Sequence, residues 1–192
     1  MSIFKDIVSI WKSEDLLSQA WDESREMLEF SEDMFSSAVK YLRRGVKIKK
    51  LKKLKKEDKK INEFQQIVRK KVVTHFSVLK NIDNLPNGLV LLNMVIDVER
   101  LGDYTKNILD MAIYYPEALV SEELLPELNT LENEVVSRFQ KTCEAVGRQD
   151  VALAEHLLKT HQESLASVSD DIVHNCISGK IDFENNKQAT VV

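Results

Sequence analysis

Glycine and proline are scarce in this chain, and that scarcity limits its fold more than any other feature of the sequence. Only 5 glycines and 3 prolines occur among 192 residues, whereas these two residues make up roughly 12% of an average protein. A β-sheet protein needs turn residues at every hairpin, so this count nearly excludes an all-β fold. Apolar residues instead recur at spacings of three and four, as in amphipathic helices. We therefore predict an all-α protein.

The same spacing places the helices, which we expect to run up and down in antiparallel bundles. We predict helices over Ser13–Tyr41, Val46–Ile82, Leu89–Tyr115, Ser121 or Pro126 to Gly147, and Asp150–Ile177. The second helix has a heptad-like apolar seam that continues through Asp58. The apolar stripe of the third helix holds Val90, Leu91, Met94, Val98, Leu101, Ile108, Leu109 and Ala112. Residues after Asp182 have helical character again.

A faint internal repeat predicts two units. Residues 16–39 resemble residues 124–147, which indicates tandem three-helix units at 13–115 and 121–192. The second unit lacks its last helix, because the counterpart of the third helix would start near Gln188. Either the sequence is truncated or the unit borrows a helix from a partner. A missing helix leaves an apolar face exposed, so we expect a homodimer.

Three features bear on the cellular compartment. No apolar run approaches the ~20 residues of a membrane span, and residues 1–12 do not have the form of a signal peptide. The two cysteines make no disulfide framework, which fits a reducing environment. We therefore expect a cytoplasmic protein.

The charge of the chain is unevenly distributed. The net charge is −4, but residues 36–80 carry 16 basic and 3 acidic side chains, and Lys40–Lys60 holds 12 basic residues in 21 positions. This stretch predicts either an anionic-surface binder, of membrane or nucleic acid, or a helix tip with a solvated lysine shell. No aromatic residue occurs from 46 to 63, which argues against single-strand binding. The candidate lysines are Lys49, Lys50, Lys52, Lys53, Lys55 and Lys56.

Carboxylates on the third predicted helix form a candidate cation site. Glu99 and Asp103 lie one turn apart, on a line that Asp110 extends. Two neighbouring carboxylates repel each other, so a hard cation or iron between them would be favourable. Asp58 and Asn62 on the second helix would complete the site if the two helices pack together.

A solvated helix face is the alternative for the same residues. In that arrangement Arg100 pairs with Asp97 or Asp103, and Asp58 pairs with nearby lysines where the seam frays.

Catalytic motifs are absent from the sequence. There is no nucleotide-binding glycine loop, no nucleophile elbow and no paired histidine zinc motif. A di-iron bundle enzyme is an alternative, but it needs Glu-x-x-His, which does not occur here. We therefore predict a protein that is not an enzyme.

Three segments resemble the PhoU-domain family. Residues 96–103, Ile-Asp-Val-Glu-Arg-Leu-Gly-Asp, are similar to the signature on the third helix of the family's three-helix unit, and residues 89–95 fit the lead-in to that helix. Residues 58–62, Asp-Lys-Lys-Ile-Asn, resemble the pattern of its second helix, with Asn62 in place of the usual acid. Residues 16–42 fit its first helix.

The resemblance implies a non-catalytic cytoplasmic regulator of phosphate uptake and phosphate-dependent signalling, built from two three-helix bundles. Its partners would be a phosphate transporter, either ATP-driven or sodium-coupled, or a membrane sensor kinase. Apart from the resemblance, the Lys40–Lys60 stretch would allow peripheral membrane association beside such a transporter. We expect no specific nucleic-acid partner. Some members bind iron, zinc, nickel or magnesium through E/D-x-x-x-D motifs. Carried over to this chain, the metal residues are Glu99, Asp103, Asp58 and Asn62. The residues that orient the site or contact a partner are Asp97, Arg100 and Tyr104.

Overall fold

The computed structural model describes residues 16–79, 84–115, 125–161 and 165–181, and within these ranges the regular structure is helical, without a strand. The all-α prediction is confirmed. The helices are α1 (Leu16–Arg44), α2 (Ile48–Lys56), α3 (Asp58–Leu79), α4 (Leu85–Tyr114), α5 (Leu125–Arg148), α6 (Val151–His161) and α7 (Ser167–Ile177).

The long second helix of the prediction is divided in the structure. A turn at Glu57 separates α2 from α3, and the Lys60 amide donates to the Glu57 carbonyl at 2.9 Å. Two local effects favour a break here. The lysines of α2 repel one another along a continuous helix, and the Asp58 carboxylate is stabilised at a helix N-terminus. The apolar seam alone did not indicate this break.

Other helix ends also differ from the prediction. Helix α1 continues to Arg44, where Gly45 adopts a φ of 62°, the left-handed conformation that commonly follows a helix. Helix α4 begins at Leu85 rather than Leu89, because Pro86 fits the first turn, where no amide donor is needed. The last predicted helix, Asp150–Ile177, corresponds to two helices in the structure, α6 and α7. Residues 1–15, 80–83, 116–124, 162–164 and 182–192 lie outside the described residues.

By packing, residues 1–31 and 57–104 form the first compact unit. Its described part consists of the first half of α1, all of α3 and most of α4. The rings of Phe30 and Phe64 lie 6.5 Å apart, and the Lys60 ammonium lies 4.4 Å from the Phe30 ring centre. Lys71 pairs with Glu23 at 3.0 Å. The buried apolar side chains are Leu16, Ala20, Met27, Leu28, Ile61, Phe64, Val68, Val72, Leu91, Val95 and Val98.

Residues 32–56 and 105–192 form the second unit. Tyr115, Leu128, Ile172 and Ile181 make one buried apolar cluster in it. Each packing unit consists of two separate stretches of the chain, whereas each predicted repeat is one continuous stretch. The repeat boundaries 13–115 and 121–192 stay a prediction.

Polar contacts hold the helices of the second unit as well. Arg43 on α1 pairs with Glu132 on α5, with Nε to Oε1 at 2.5 Å. Arg138 on α5 donates to the main-chain carbonyls of Leu157 and Thr160, at 2.8 and 2.9 Å. Those carbonyls belong to the last turn of α6, so one guanidinium caps that helix end.

Candidate functional site

A glycine brings α4 into close contact with α3. A Cβ atom on Gly102 would lie 2.8 Å from Cδ1 of Ile61 and 3.4 Å from Oδ1 of Asp58. Because Gly102 has no side chain, the Ile61 side chain can lie this close to the α4 backbone. Asp58 therefore lies beside the Glu-Arg-Leu-Gly-Asp segment at Gly102.

Asp58 is held in a defined position at this contact. It is the first residue of α3 and is only 8% exposed. Its Oδ2 accepts a hydrogen bond of 3.1 Å from Nδ2 of Asn62, one turn further along the helix. The N-terminal end of α3 stabilises the negative charge. Asn62 thus orients the Asp58 carboxylate, and it uses an amide nitrogen that cannot be a cation ligand.

Glu99 and Asp103 are both partly buried on α4. Residues four apart on a helix have Cβ atoms about 5–6 Å apart, close enough to share one cation. In the described ranges, no three His, Cys, Asp or Glu residues lie close enough together to hold a metal ion. The metal role of Glu99, Asp103, Asp58 and Asn62 stays a prediction.

Asp97, Arg100 and Tyr104 lie on the solvent side of α4. Nη1 of Arg100 lies 3.6 Å from Oδ1 of Asp97, with the two side chains 61% and 73% exposed. This pairing is one of the arrangements expected for a solvated helix face. A pair so exposed adds little to the free energy of unfolding, so the fold does not need it.

Large apolar side chains share this solvent side. Leu89, Val90 and Ile96 are 51%, 59% and 39% exposed, and Tyr104 is 55% exposed. The placement of Val90 in the buried stripe was therefore wrong. At 100° per residue these side chains fall within an arc of about 120° that also contains Asp97 and Arg100. We call this surface the α4 outer face; it consists of Leu89, Val90, Asn93, Ile96, Asp97, Arg100 and Tyr104.

The sequence reasoning missed the apolar members of the α4 outer face. The predicted apolar stripe included Val90 and left Leu89 and Ile96 unassigned to either side of the helix. A helical projection would have placed them with Asp97 and Arg100, opposite the buried residues.

The candidate lysines divide into two groups. Lys49, Lys50, Lys52, Lys53 and Lys56 are exposed. Lys55 instead points to Asp110, with its Nζ 2.5 and 2.6 Å from the two carboxylate oxygens. Asp110 therefore forms an ion pair with Lys55 in the second unit. The prediction aligned Asp110 with Glu99 and Asp103, but its contact is with this lysine.

One histidine is buried within the first unit. His75 is 4% exposed, and its ring lies edge-on to Phe76 with centroids 5.0 Å apart. Among the described residues neither ring nitrogen has a hydrogen-bond partner. Such a residue lowers stability relative to an apolar side chain of similar size.

Comparison with known proteins gives one match. Residues 24–112 match the family model of the PhoU domain, a range that includes Asp58, Gly102 and the whole α4 outer face. No curated protein and no solved structure matches the chain. Among the described residues, none of the helices is long and apolar enough to cross a bilayer. The family match over residues 24–112 and the helical fold of this part of the chain support membership of the PhoU family.

Proposed function

We propose that this chain is a non-catalytic, cytoplasmic regulator of inorganic phosphate transport and phosphate-dependent signalling, acting by binding a phosphate transporter or a sensor kinase. The PhoU domain over residues 24–112 indicates a phosphate-related regulatory role, since the family generally consists of non-catalytic regulators. The proposed binding of a partner is supported by the α4 outer face, where apolar side chains are exposed beside Arg100 and Tyr104.

The composition of this face supports a protein partner. Tyrosine and arginine are the residues that most often dominate binding energy at interfaces, and here Tyr104 and Arg100 lie beside exposed Leu89, Val90 and Ile96. The Arg100 guanidinium can exchange its weak, solvated contact with Asp97 for a bidentate contact with a partner carboxylate. The partner would therefore present an apolar surface with an acidic side chain.

The same proposal includes a change in partner binding when Glu99 and Asp103 bind a cation. In helical projection Glu99 and Asp103 lie at the border between the buried side of α4 and its outer face. A cation bound by the two carboxylates would remove their mutual repulsion and change the charge beside the partner surface. Iron, zinc, nickel and magnesium are the candidates, and the donor set favours magnesium.

The cation step is tested separately from partner binding. Elemental analysis after dialysis against each metal would compare the wild type with Glu99→Gln/Asp103→Asn. Metal retained equally by both proteins would remove these two residues from the proposal.

The regulatory proposal is tested in cells that lack the gene. Radiolabelled phosphate uptake would be measured with wild type, with Arg100→Ala/Tyr104→Ala, and with Gln66→Ala/Arg69→Ala. The last variant removes two exposed residues of α3 and serves as a matched control. We expect loss of uptake control only in the α4 variant. Normal control with that variant, at normal protein levels, would refute the assignment of the face.

The second unit supports the proposed homodimer. Val151, Leu158 and Ile177 are 70%, 77% and 80% exposed, and exposed apolar side chains of this size favour self-association when they are contiguous. Sedimentation equilibrium of wild type and Leu158→Glu/Ile177→Glu tests this. A wild-type monomer at all concentrations would contradict it.

A further inference from the structure

Helix α2 presents a one-sided lysine surface. At 100° per residue, its five exposed lysines fan across about 160° of the helix circumference. Leu51, which is fully buried, projects directly opposite the middle of that fan. We call this fan the α2 lysine face; it consists of Lys49, Lys50, Lys52, Lys53 and Lys56.

The helix is held so that this face points away from the protein. Leu51 anchors its inner side, and the Lys55–Asp110 pair fixes one flank, with side chains 37% and 36% exposed. No Asp or Glu occurs from residue 34 to residue 56. In the part of the chain that the structure describes, no carboxylate pairs with any lysine of the face. Among the described residues, these five ammonium groups have no carboxylate partner, and their shared charge raises the positive potential outside the helix.

We propose that the α2 lysine face binds the anionic surface of a lipid bilayer. The attraction between clustered lysines and anionic headgroups needs no defined geometry on the lipid side. A flat membrane can meet all five ammonium groups at once, since the helix is only about 13 Å long. This inference does not depend on a transporter or kinase partner and concerns a different helix from the α4 outer face.

The residue types favour lipid over nucleic acid. All five charges are lysines, which act as point charges, whereas arginine supplies the planar fork that reads phosphate and guanine edges. No aromatic side chain from residue 46 to residue 63 is available to stack on a base. The surface thus has the charge for phosphate groups but not the side chains that usually recognise nucleic acid.

The contact would be electrostatic rather than insertional. An amphipathic helix that lies within a bilayer interface buries its apolar side in lipid. Here the central apolar residue, Leu51, is already buried in the protein. Binding should therefore weaken steeply as salt rises, because screening shortens the range of the attraction.

The test is vesicle co-sedimentation of the full chain. Vesicles of phosphatidylcholine alone are compared with vesicles containing about 30% phosphatidylserine, at about 50 mM and about 300 mM NaCl. The variant is Lys49→Gln/Lys50→Gln/Lys52→Gln/Lys53→Gln. The control is Arg69→Gln/Lys70→Gln/Lys141→Gln/Lys180→Gln, which removes four exposed cations outside α2 and gives the same net charge. Circular dichroism and thermal melting check that both remain folded.

We expect wild type to bind only the anionic vesicles and to dissociate at the higher salt. One lysine near an anionic surface changes binding about fivefold, so the α2 variant should lose on the order of several hundredfold and the control only a few-fold. Equal losses in both variants, or equal binding to neutral vesicles, would overturn the proposal. Tighter binding to a duplex DNA at the same salt, lost in the α2 variant, would also overturn it and assign the face to nucleic acid.

Discussion

The Gly102→Ala substitution sets two opposing effects against each other. Alanine is favoured over glycine in a helix interior by about 1 kcal/mol. The added Cβ would lie 2.8 Å from Cδ1 of Ile61, well inside van der Waals contact. Ile61 is fully buried, so it cannot move without shifting its neighbours. Overpacking of this kind costs about 1–3 kcal/mol. We expect a net loss of about 1 kcal/mol in the free energy of unfolding.

A double-mutant cycle isolates the steric effect. Ile61→Val removes the clashing Cδ1 atom and alone costs about 0.5–1.5 kcal/mol. The nearest remaining atoms, Oδ1 of Asp58 and Cγ2 of Ile61, lie at 3.4 and 3.5 Å, which is ordinary contact. In the Ile61→Val background, Gly102→Ala should therefore stabilise by up to about 1 kcal/mol. The coupling between the two substitutions should be about 2 kcal/mol.

Urea denaturation followed by helical circular dichroism measures all four proteins. Helix propensity alone predicts that Gly102→Ala raises the free energy of unfolding of the wild type. That result, or additive effects of the two substitutions, would show that α3 and α4 do not approach each other closely at Gly102.

Three further predictions concern other buried groups. His75→Leu should raise the free energy of unfolding by about 1 kcal/mol, because it removes buried nitrogens without partners; a loss in urea denaturation would show that the ring has a polar contact. Arg43→Met and Glu132→Leu should each cost about 1–3 kcal/mol by leaving a largely buried charge alone, and the double variant should cost less than their sum; additive melting data would contradict the pairing. Burial raises the pKa of Cys176, so the thiolate of the native protein forms at higher pH than in the unfolded chain. Its reaction with a thiol reagent should accelerate at correspondingly higher pH, and identical pH profiles in native protein and in urea would refute this.

The sequence was sufficient for the helical class and for the inner side of α4. Scarce glycine and proline predict helices, and Leu91 and Val98 of the predicted apolar stripe are buried. The predicted stripe also included Val90, which is exposed in the structure. Adding one apolar residue leaves the helical spacing of the others unchanged, so the spacing did not reveal the error. Spacing within one helix reports a shared face but not whether that face meets protein or solvent.

Contacts between distant residues explain what the sequence could not predict. Asp110 was placed with Glu99 and Asp103 by spacing, yet its partner is Lys55, 55 residues away in the chain. The break at Glu57 was hidden because the apolar seam continues across it. Asp58 was correctly singled out as a polar residue on a seam, since a buried carboxylate needs stabilisation. That Asn62 would supply a donor rather than a ligand atom depends on side-chain orientation, which spacing does not determine.

The attachment of α6 has a consequence for local opening. This helix has no buried residue. Its first turn is capped by Asp150, whose Oδ1 accepts from the Leu153 amide at 2.9 Å, and its last turn is capped by Arg138. The Arg138 hydrogen bonds from α5 at one end, rather than full apolar burial along the length, thus help to keep it in place. Amide hydrogens of α6 should exchange with solvent through a local fluctuation, at a free energy well below that of global unfolding. This segment would then be open to cleavage by a protease while the rest of the second unit stays folded.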